Sequence, residues 1–172
     1  MKTTLEALLV SKDLRAKKQI LMVQYFNRPL AVMKLNIPGE IKTCEKYRKA
    51  FGLIQSQFIE FMVNRGFQKI YSELNLIDTG DELYLVFDKG AIELKKACLA
   101  FEKWHQLGRF LDLDVIQMDG KPISRQDMGY PPRTCFICEE MALVCMRKRA
   151  HSEAQLLELI NESFTTFLNT ST

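Results

Sequence analysis

The chain of 172 residues contains no apolar run approaching the roughly 20 residues that a membrane-spanning helix needs. Its opening, Met1-Lys2-Thr3-Thr4, lacks the basic-then-apolar layout of a signal peptide, so a cytosolic location is expected. It also lacks charge of one sign. Lys plus Arg number 24 against 21 Asp plus Glu, a net charge of +3, which excludes a coat for nucleic acid and leaves room only for a local basic site. Neither a nucleic-acid nor a membrane partner is expected. Repeats, linkers and low-complexity segments are absent as well. What is present is 47% hydrophobic and 26% charged residues, the balance of one globular domain over residues 1–172. A chain of this length buries roughly 70% of its unfolded surface and needs no disulfide staples. Its five cysteines are therefore expected as thiols, to be read as packing, metal binding or chemistry.

Periodicity and turn residues give the order of elements. Leu5 to Val10 is a short apolar opening; Ser11 reads as an N-cap ahead of Asp13, with Lys17 and Lys18 further on, and Asn27-Arg28-Pro29 breaks that helix. Leu30 to Ile37 is β-like and ends at Pro38-Gly39. Tyr47, Phe51, Ile54, Phe58, Phe61 and Met62 mark a helix from Cys44 to Val63, with Gly66 at its C′ position. Phe67 to Ile77 and Leu83 to Phe87 flank a polar turn and should pair antiparallel. Leu94, Ala97, Cys98, Phe101 and Trp104 form one stripe of the next helix, which stops near Gly108. A second hairpin runs from Phe110 to Gln117, turns at Asp119-Gly120 and returns through Lys121 to Ser124. After Pro131-Pro132, helices are predicted from Cys138 to Arg149 and from Glu153 to Leu168. This order predicts an α+β fold, a single layered domain with a mainly antiparallel sheet and flanking helices.

The segment richest in chemistry runs from His105 to Ile116. On a strand, Asp112 and Asp114 share one face while Leu111, Leu113 and Val115 share the other. Two carboxylates about 7 Å apart along a strand repel each other, and a divalent cation between them relieves that repulsion. Mg²⁺ is the natural candidate, because it takes one or two protein carboxylates and completes its shell with water and phosphate oxygens. A solvated strand face carries the same pattern without a metal. Gly108 and Arg109 precede the strand, a place for phosphate to come close and a cationic fork to hold it. If the hairpin folds back, Ser124, Arg125 and Asp127 return toward the two aspartates, with Asp127 as a third ligand. Together they point to metal-assisted phosphoryl or nucleotidyl transfer.

These residues also carry a family resemblance. His105-x-Leu-Gly-Arg-x-x-Asp-x-Asp-Val, Ile123-Ser-Arg-x-Asp, Pro131-Pro-Arg-x-Cys-x-x-Cys-Glu and Cys145-x-Arg-x-x-x-His151 resemble the citrate lyase holo-acyl-carrier-protein synthase family, the apo-citrate lyase phosphoribosyl-dephospho-CoA transferases. Leu8-Leu9-Val10-Ser11-Lys12-Asp13-x-Arg15 and Pro38-Gly39-x-Ile41-Lys42 extend the resemblance over nearly the whole chain. Gln106 departs from it, standing where proline is common. The resemblance implies a transferase that moves a phosphoribosyl-dephospho-CoA group from its triphosphate precursor to a serine of the citrate lyase acyl carrier protein, releasing pyrophosphate. It implies Asp112 and Asp114 as Mg²⁺ ligands, Arg109 and Arg125 on the triphosphate, and Asp127 or His105 as acceptor of the serine proton; Gly108, Arg133 and Lys42 are substrate-binding candidates from their places in the sequence. The Gly-Arg plus D-x-D layout also looks like that of nucleotidyltransferases of the polymerase-β type, an analogy at fold level.

Two other features stand apart from the aspartates. Cys135, Cys138, Cys145 and His151 form C-x2-C-x6-C-x5-H, a ligand set for structural zinc. Against zinc, Cys138, Ala142, Cys145 and Arg149 fall on one stripe of the predicted helix, where thiols simply pack. Cys44 and Cys98 read as core or semi-exposed thiols. His105 also suits capping of a helix C-terminus. Arg147-Lys148-Arg149 is a solvated basic turn, or a surface for an acidic acyl carrier protein. Of Lys34 and Lys42, one at most is expected on substrate; Phe110, Tyr130 and Trp104 are candidate adenine stackers that core burial would equally explain. Two alternatives to the transferase remain: a non-catalytic zinc-containing assembly protein for citrate lyase subunits, and the same transfer to another acyl carrier protein, such as that of malonate decarboxylase.

Overall fold

The computed structural model describes residues 3–171; Met1 and Lys2 of the opening and Thr172 of the expected domain span lie outside the described residues. Five α-helices and four strands follow in the order α1 (Leu5–Phe26), β1 (Leu30–Leu35), α2 (Glu45–Val63), β2 (Lys69–Asn75), β3 (Glu82–Phe87), α3 (Ala91–Trp104), β4 (Leu111–Ile116), α4 (Ala142–Lys148) and α5 (Glu153–Thr170). The strands form one antiparallel sheet in the order β2-β3-β1-β4, so the fold is α+β as expected and β4 ends the sheet.

Alternation along each strand sorts the side chains into two layers. One face presents Ala31, Met33, Leu83, Leu85, Leu111, Leu113 and Val115 to a core completed by α2, α3 and α5, with Phe51, Phe58, Phe101 and Phe164 fully buried there. The opposite face presents Leu30, Val32, Tyr84, Val86 and Ile116 to Met22 and Val23 of α1. β3 is buried along its whole length, as a central strand covered on both faces must be. Among the described residues no helix is long and apolar enough to cross a membrane.

Three sequence expectations are corrected. α1 begins at Leu5, not Ser11: the Thr4 side chain accepts from the Ala7 N–H at 3.2 Å, and Ser11 lies inside the helix, where its Oγ accepts from Thr79. The apolar opening is thus the first turns of α1, with Leu5, Leu9, Val10 and Leu14 facing outward. The Asp119-Gly120 turn forms, with Gly120 at φ 80° and its N–H on the Gln117 carbonyl at 2.9 Å. Its return arm shrinks to a single bridge between Ile116 and Pro122, flanked by the Gln117 N–H on the Lys121 carbonyl at 2.8 Å and the Ile123 N–H on the Val115 carbonyl at 2.9 Å. Finally, residues 138–141 are not helical. Cys135 N–H bonds to the Glu140 carbonyl at 2.8 Å and Ala142 N–H to the Arg133 carbonyl at 2.9 Å, a tight loop that delays α4 to Ala142.

Candidate active site

β4 is the edge strand that the catalytic reading of the sequence singled out. Asp112 and Asp114 lie across from Lys34 and Val32 of β1, on the α1 face, as the alternation requires. Asp112 is 3.3 Å from Lys34 Nζ and 3.6 Å from Arg133 Nη2. Both aspartates are half-buried. Burial and the neighbouring Asp112 raise the Asp114 pKa above the usual carboxylate range, against the pull of Lys34, Lys95 and Arg133.

The outer edge of β4 has no further strand, and two cations occupy its carbonyls instead. Arg133 Nη1 donates to the Leu111 carbonyl at 2.6 Å and buried Lys95 donates to the Leu113 carbonyl at 2.9 Å. Arg133 therefore wraps around the edge: its Nη2, beside Asp112 on one face, also donates to Glu102 of α3 at 2.8 Å on the other. Glu102 accepts from Arg125 as well. Burial raises the Glu102 pKa, while Arg133, Arg125 and Lys95 oppose the rise. Lys34, Asp112, Arg133, Glu102 and Arg125 thus form one chain of contacts across the sheet edge. Arg125 Nε is buried and finds no hydrogen-bond partner among the described residues, a donor that an anion would satisfy.

Glu102 and Arg133 also open onto a cavity of about 1100 Å³, whose wall includes Arg109, Arg125, Tyr130 and Arg149. Its size suits a nucleotide-sized ligand, and its cationic wall an anionic one. Arg109 reaches this cavity rather than the aspartates, donating to the Cys135 carbonyl at 2.7 Å. Gly108 is required by packing: a Cβ there would stand 1.9 Å from the Glu102 carbonyl oxygen. The close approach expected of a phosphate is made by the chain's own backbone. Tyr130 lines the cavity, Phe110 is buried against Phe136, and Trp104 is exposed beside Phe61.

Other expected site residues lie elsewhere. His105 is buried between Phe101 and Phe167, its Nε2 at 2.8 Å from Gln57 and its Nδ1 accepting from the Leu107 N–H at 3.0 Å. Burial lowers its pKa to about 4, so both nitrogens of a neutral ring are engaged in holding the turn that follows α3. Asp127 is exposed and accepts from the Ser124 N–H at 3.0 Å, while Ser124 Oγ accepts from the Asp127 N–H. Lys42 bonds the Ile37 carbonyl at 2.7 Å, its pKa lowered by burial and raised in part by Glu153. Of the two lysines flanking Pro38-Gly39, Lys34 is the one at the carboxylates. Glu102 and Lys95 escaped the sequence reading altogether: one more acid and one more base on an amphipathic helix give no signal until that helix packs on β4.

The four-residue thiol and imidazole set does converge. The ligand atoms of Cys135, Cys138, Cys145 and His151 all lie within 4.8 Å of one another, a group able to hold a metal ion. The packing argument against zinc fails, since Cys138 sits in the loop before α4 and shares no helix stripe with Cys145.

Paired carboxylates at a sheet edge, bridged by an arginine to a cation-lined cavity, define a class: an α+β protein with a candidate site for an anionic ligand. A family model described as apo-citrate lyase phosphoribosyl-dephospho-CoA transferase matches residues 3–167. A Vibrio cholerae protein named probable apo-citrate lyase phosphoribosyl-dephospho-CoA transferase is 34% identical over 163 residues, 94% of this chain and 92% of that protein. An Escherichia coli protein named apo-citrate lyase phosphoribosyl-dephospho-CoA transferase is 36% identical over 155 residues, 90% of this chain and 82% of its own length. The chain belongs to the apo-citrate lyase phosphoribosyl-dephospho-CoA transferase family.

Proposed function

We propose that this chain is a cytoplasmic transferase of one domain that attaches the 2′-(5″-phosphoribosyl)-3′-dephospho-CoA group to a serine of the citrate lyase acyl carrier protein. The observation that carries the reading at the level of chemistry is the Asp112–Arg133–Glu102–Arg125 chain joining the strand carboxylates to the cavity. In this reading the serine oxygen attacks the α-phosphorus of the triphosphate donor, the bond to the β-phosphate oxygen breaks, and pyrophosphate leaves. Such a step needs positioning and charge neutralisation more than covalent help from the protein.

Asp112 and Asp114 would hold Mg²⁺. Two carboxylates on one strand face, one of them with its charge disfavoured by burial and by the other, form a donor set that a divalent cation stabilises. When bound, the ion neutralises charge on the phosphates. The chain's own groups do the rest. Arg133 and Arg125 exchange part of their pairing with Glu102 for phosphate oxygens, and Arg109 holds the dephospho-CoA half in the cavity. Asp127 and His105, engaged elsewhere, are left out of the proton transfer, which falls to the carboxylates of the cluster. The exposed basic run Arg147-Lys148-Arg149 offers a surface of the right sign for an acidic carrier protein.

The test is pyrophosphate release on mixing the chain with the triphosphoribosyl donor, Mg²⁺ and apo acyl carrier protein. Release should match the mass gained by the acceptor and fall at least roughly a hundredfold in folded Asp112→Asn and Asp114→Asn variants. Undiminished release in both variants would sink the assignment of the site, and absence of release by the wild type would sink the reaction.

A further inference from the structure

We propose that Cys135, Cys138, Cys145 and His151 bind one Zn²⁺, and that this ion fastens the segment 133–151 as a wall of the cavity. The geometry comes first. A tetrahedral zinc with sulfur ligands at about 2.3 Å and a histidine nitrogen at about 2.0 Å separates its ligand atoms by roughly 3.5–3.8 Å. Here Cys145 Sγ is 3.4 Å from Cys135 Sγ, His151 Nε2 is 3.2 Å from Cys138 Sγ, and all four ligand atoms lie within 4.8 Å of one another. Small adjustments centre an ion among them.

The backbone is shaped to deliver these four groups. The loop closed by Cys135 N–H on Glu140 and Ala142 N–H on Arg133 turns Cys138 back beside Cys135, and Ile137 N–H points at Cys135 Sγ at 3.5 Å, a bond suited to a metal-bound thiolate. At the other end α4 stops at Arg149, which takes the left-handed conformation at φ 49°. Few non-glycine residues do so without compensation. The reversal carries His151 back onto Cys138.

Burial supplies an independent reason. Between Ile123 and Ile160 the only buried residues are Cys135 and Cys145. The other apolar contacts of this segment with the main core come from Met128, Phe136, Leu157 and Leu159, all only partly buried, and a metal cross-link is the usual supplement where so little apolar area holds a segment. Three thiolates and a neutral imidazole leave the loaded site with a net charge of −1. This ligand set favours redox-inert zinc over harder cations. The site is separate from the carboxylate cluster, and its occupancy does not depend on the transferase reading.

The full chain, purified under reducing conditions, should carry about one zinc per molecule by elemental analysis, and cobalt exchanged into it should show the visible bands of a tetrahedral thiolate site. Cys138→Ser and His151→Ala, at half-buried ligands, should each lower retained zinc roughly tenfold at a fixed chelator concentration. His151→Cys should keep the metal, and Cys44→Ser, at an exposed thiol outside the site, should leave it unchanged. Chelation should speed protease cleavage within residues 131–151 while cleavage in the sheet stays slow. Zinc-free wild-type protein that remains resistant in that segment would overturn the proposal. So would zinc retained undiminished by both Cys138→Ser and His151→Ala, or a Cys135–Cys145 disulfide in the freshly isolated chain.

Discussion

His105 is a motif residue whose two ring nitrogens are both taken up by the fold. Its ring stacks on Phe101 at 5.0 Å, and its nitrogens hold Gln57 and the Leu107 N–H. These bonds need the neutral form, and burial brings the pKa down to about 4 from the ordinary 6.5. A depressed imidazole pKa stabilises the fold above the unfolded value and loses that contribution as pH falls. Stability from this residue should be complete above about pH 6.5, about 2 kcal/mol lower by pH 5 and about 3 kcal/mol lower below pH 4. The chain has two histidines, so imidazole resonances in an NMR titration are readily assigned by a His151→Ala comparison. The His105 resonance should stay at its neutral position to below pH 5. A midpoint near 6.5 would mean an open, catalytic-style histidine after all. Sequence could place this residue beside Gly108 and the acidic strand; it could not show that Phe167, from the far end of the chain, closes over it.

At the scale of elements, α1 is the least legible helix and depends most on charge. Its outward apolar residues Leu5, Leu9, Val10 and Leu14 blur the periodicity that made α2, α3 and α5 plain, so Ser11 looked like a beginning. Its middle meets the sheet through Lys18, 2.6 Å from Glu73 Oε1 on β2, and through Arg15, whose Nη1 lies 3.0 Å from Glu82 Oε1, a carboxylate almost fully buried on β3. Tyr84 donates to the other oxygen of Glu82. Arg15 entered the sequence reading only through family resemblance, because nothing local says that a helical arginine meets a strand glutamate 67 residues later. Removing one partner of a buried pair strands the other charge and costs about 3 kcal/mol or more, whereas an exposed pair costs little. Arg15→Met should therefore lower the unfolding free energy in urea by about 3 kcal/mol, and Glu82→Gln in the same background should restore part of it. A loss below about 0.5 kcal/mol would mean that the apolar contacts of Met22 and Val23 seat α1 without help.

At the scale of the molecule, the proposed site depends on the sheet having an end. Strand alternation made Asp112 and Asp114 legible as a pair, and the arginines were legible as candidates, but which arginine meets which acid depends on the edge of β4 being free for Arg133 to pass around. That edge divides the site into a carboxylate side and a cavity side, and the division predicts different kinetic roles for two arginines. Arg109 lies on the cavity wall near Phe110 and Phe136 and makes no contact with the aspartates. It should contribute to holding the donor equally in ground and transition states, so Arg109→Gln should raise the donor KM about tenfold, about 1.4 kcal/mol, with kcat changed by less than about threefold. Arg133 touches both sides at once, 2.8 Å from Glu102 and 3.6 Å from Asp112. Arg133→Gln should lower kcat at saturating donor by roughly a hundredfold, the loss expected when a group acts on charge developing in the transition state. Steady-state kinetics with the donor varied at fixed acceptor separates the two. If instead Arg109→Gln depressed kcat and spared KM, Arg109 rather than Arg133 would be the group acting on charge developed in the transition state, and the reacting phosphate would have to sit at Arg109, away from Asp112 and Asp114.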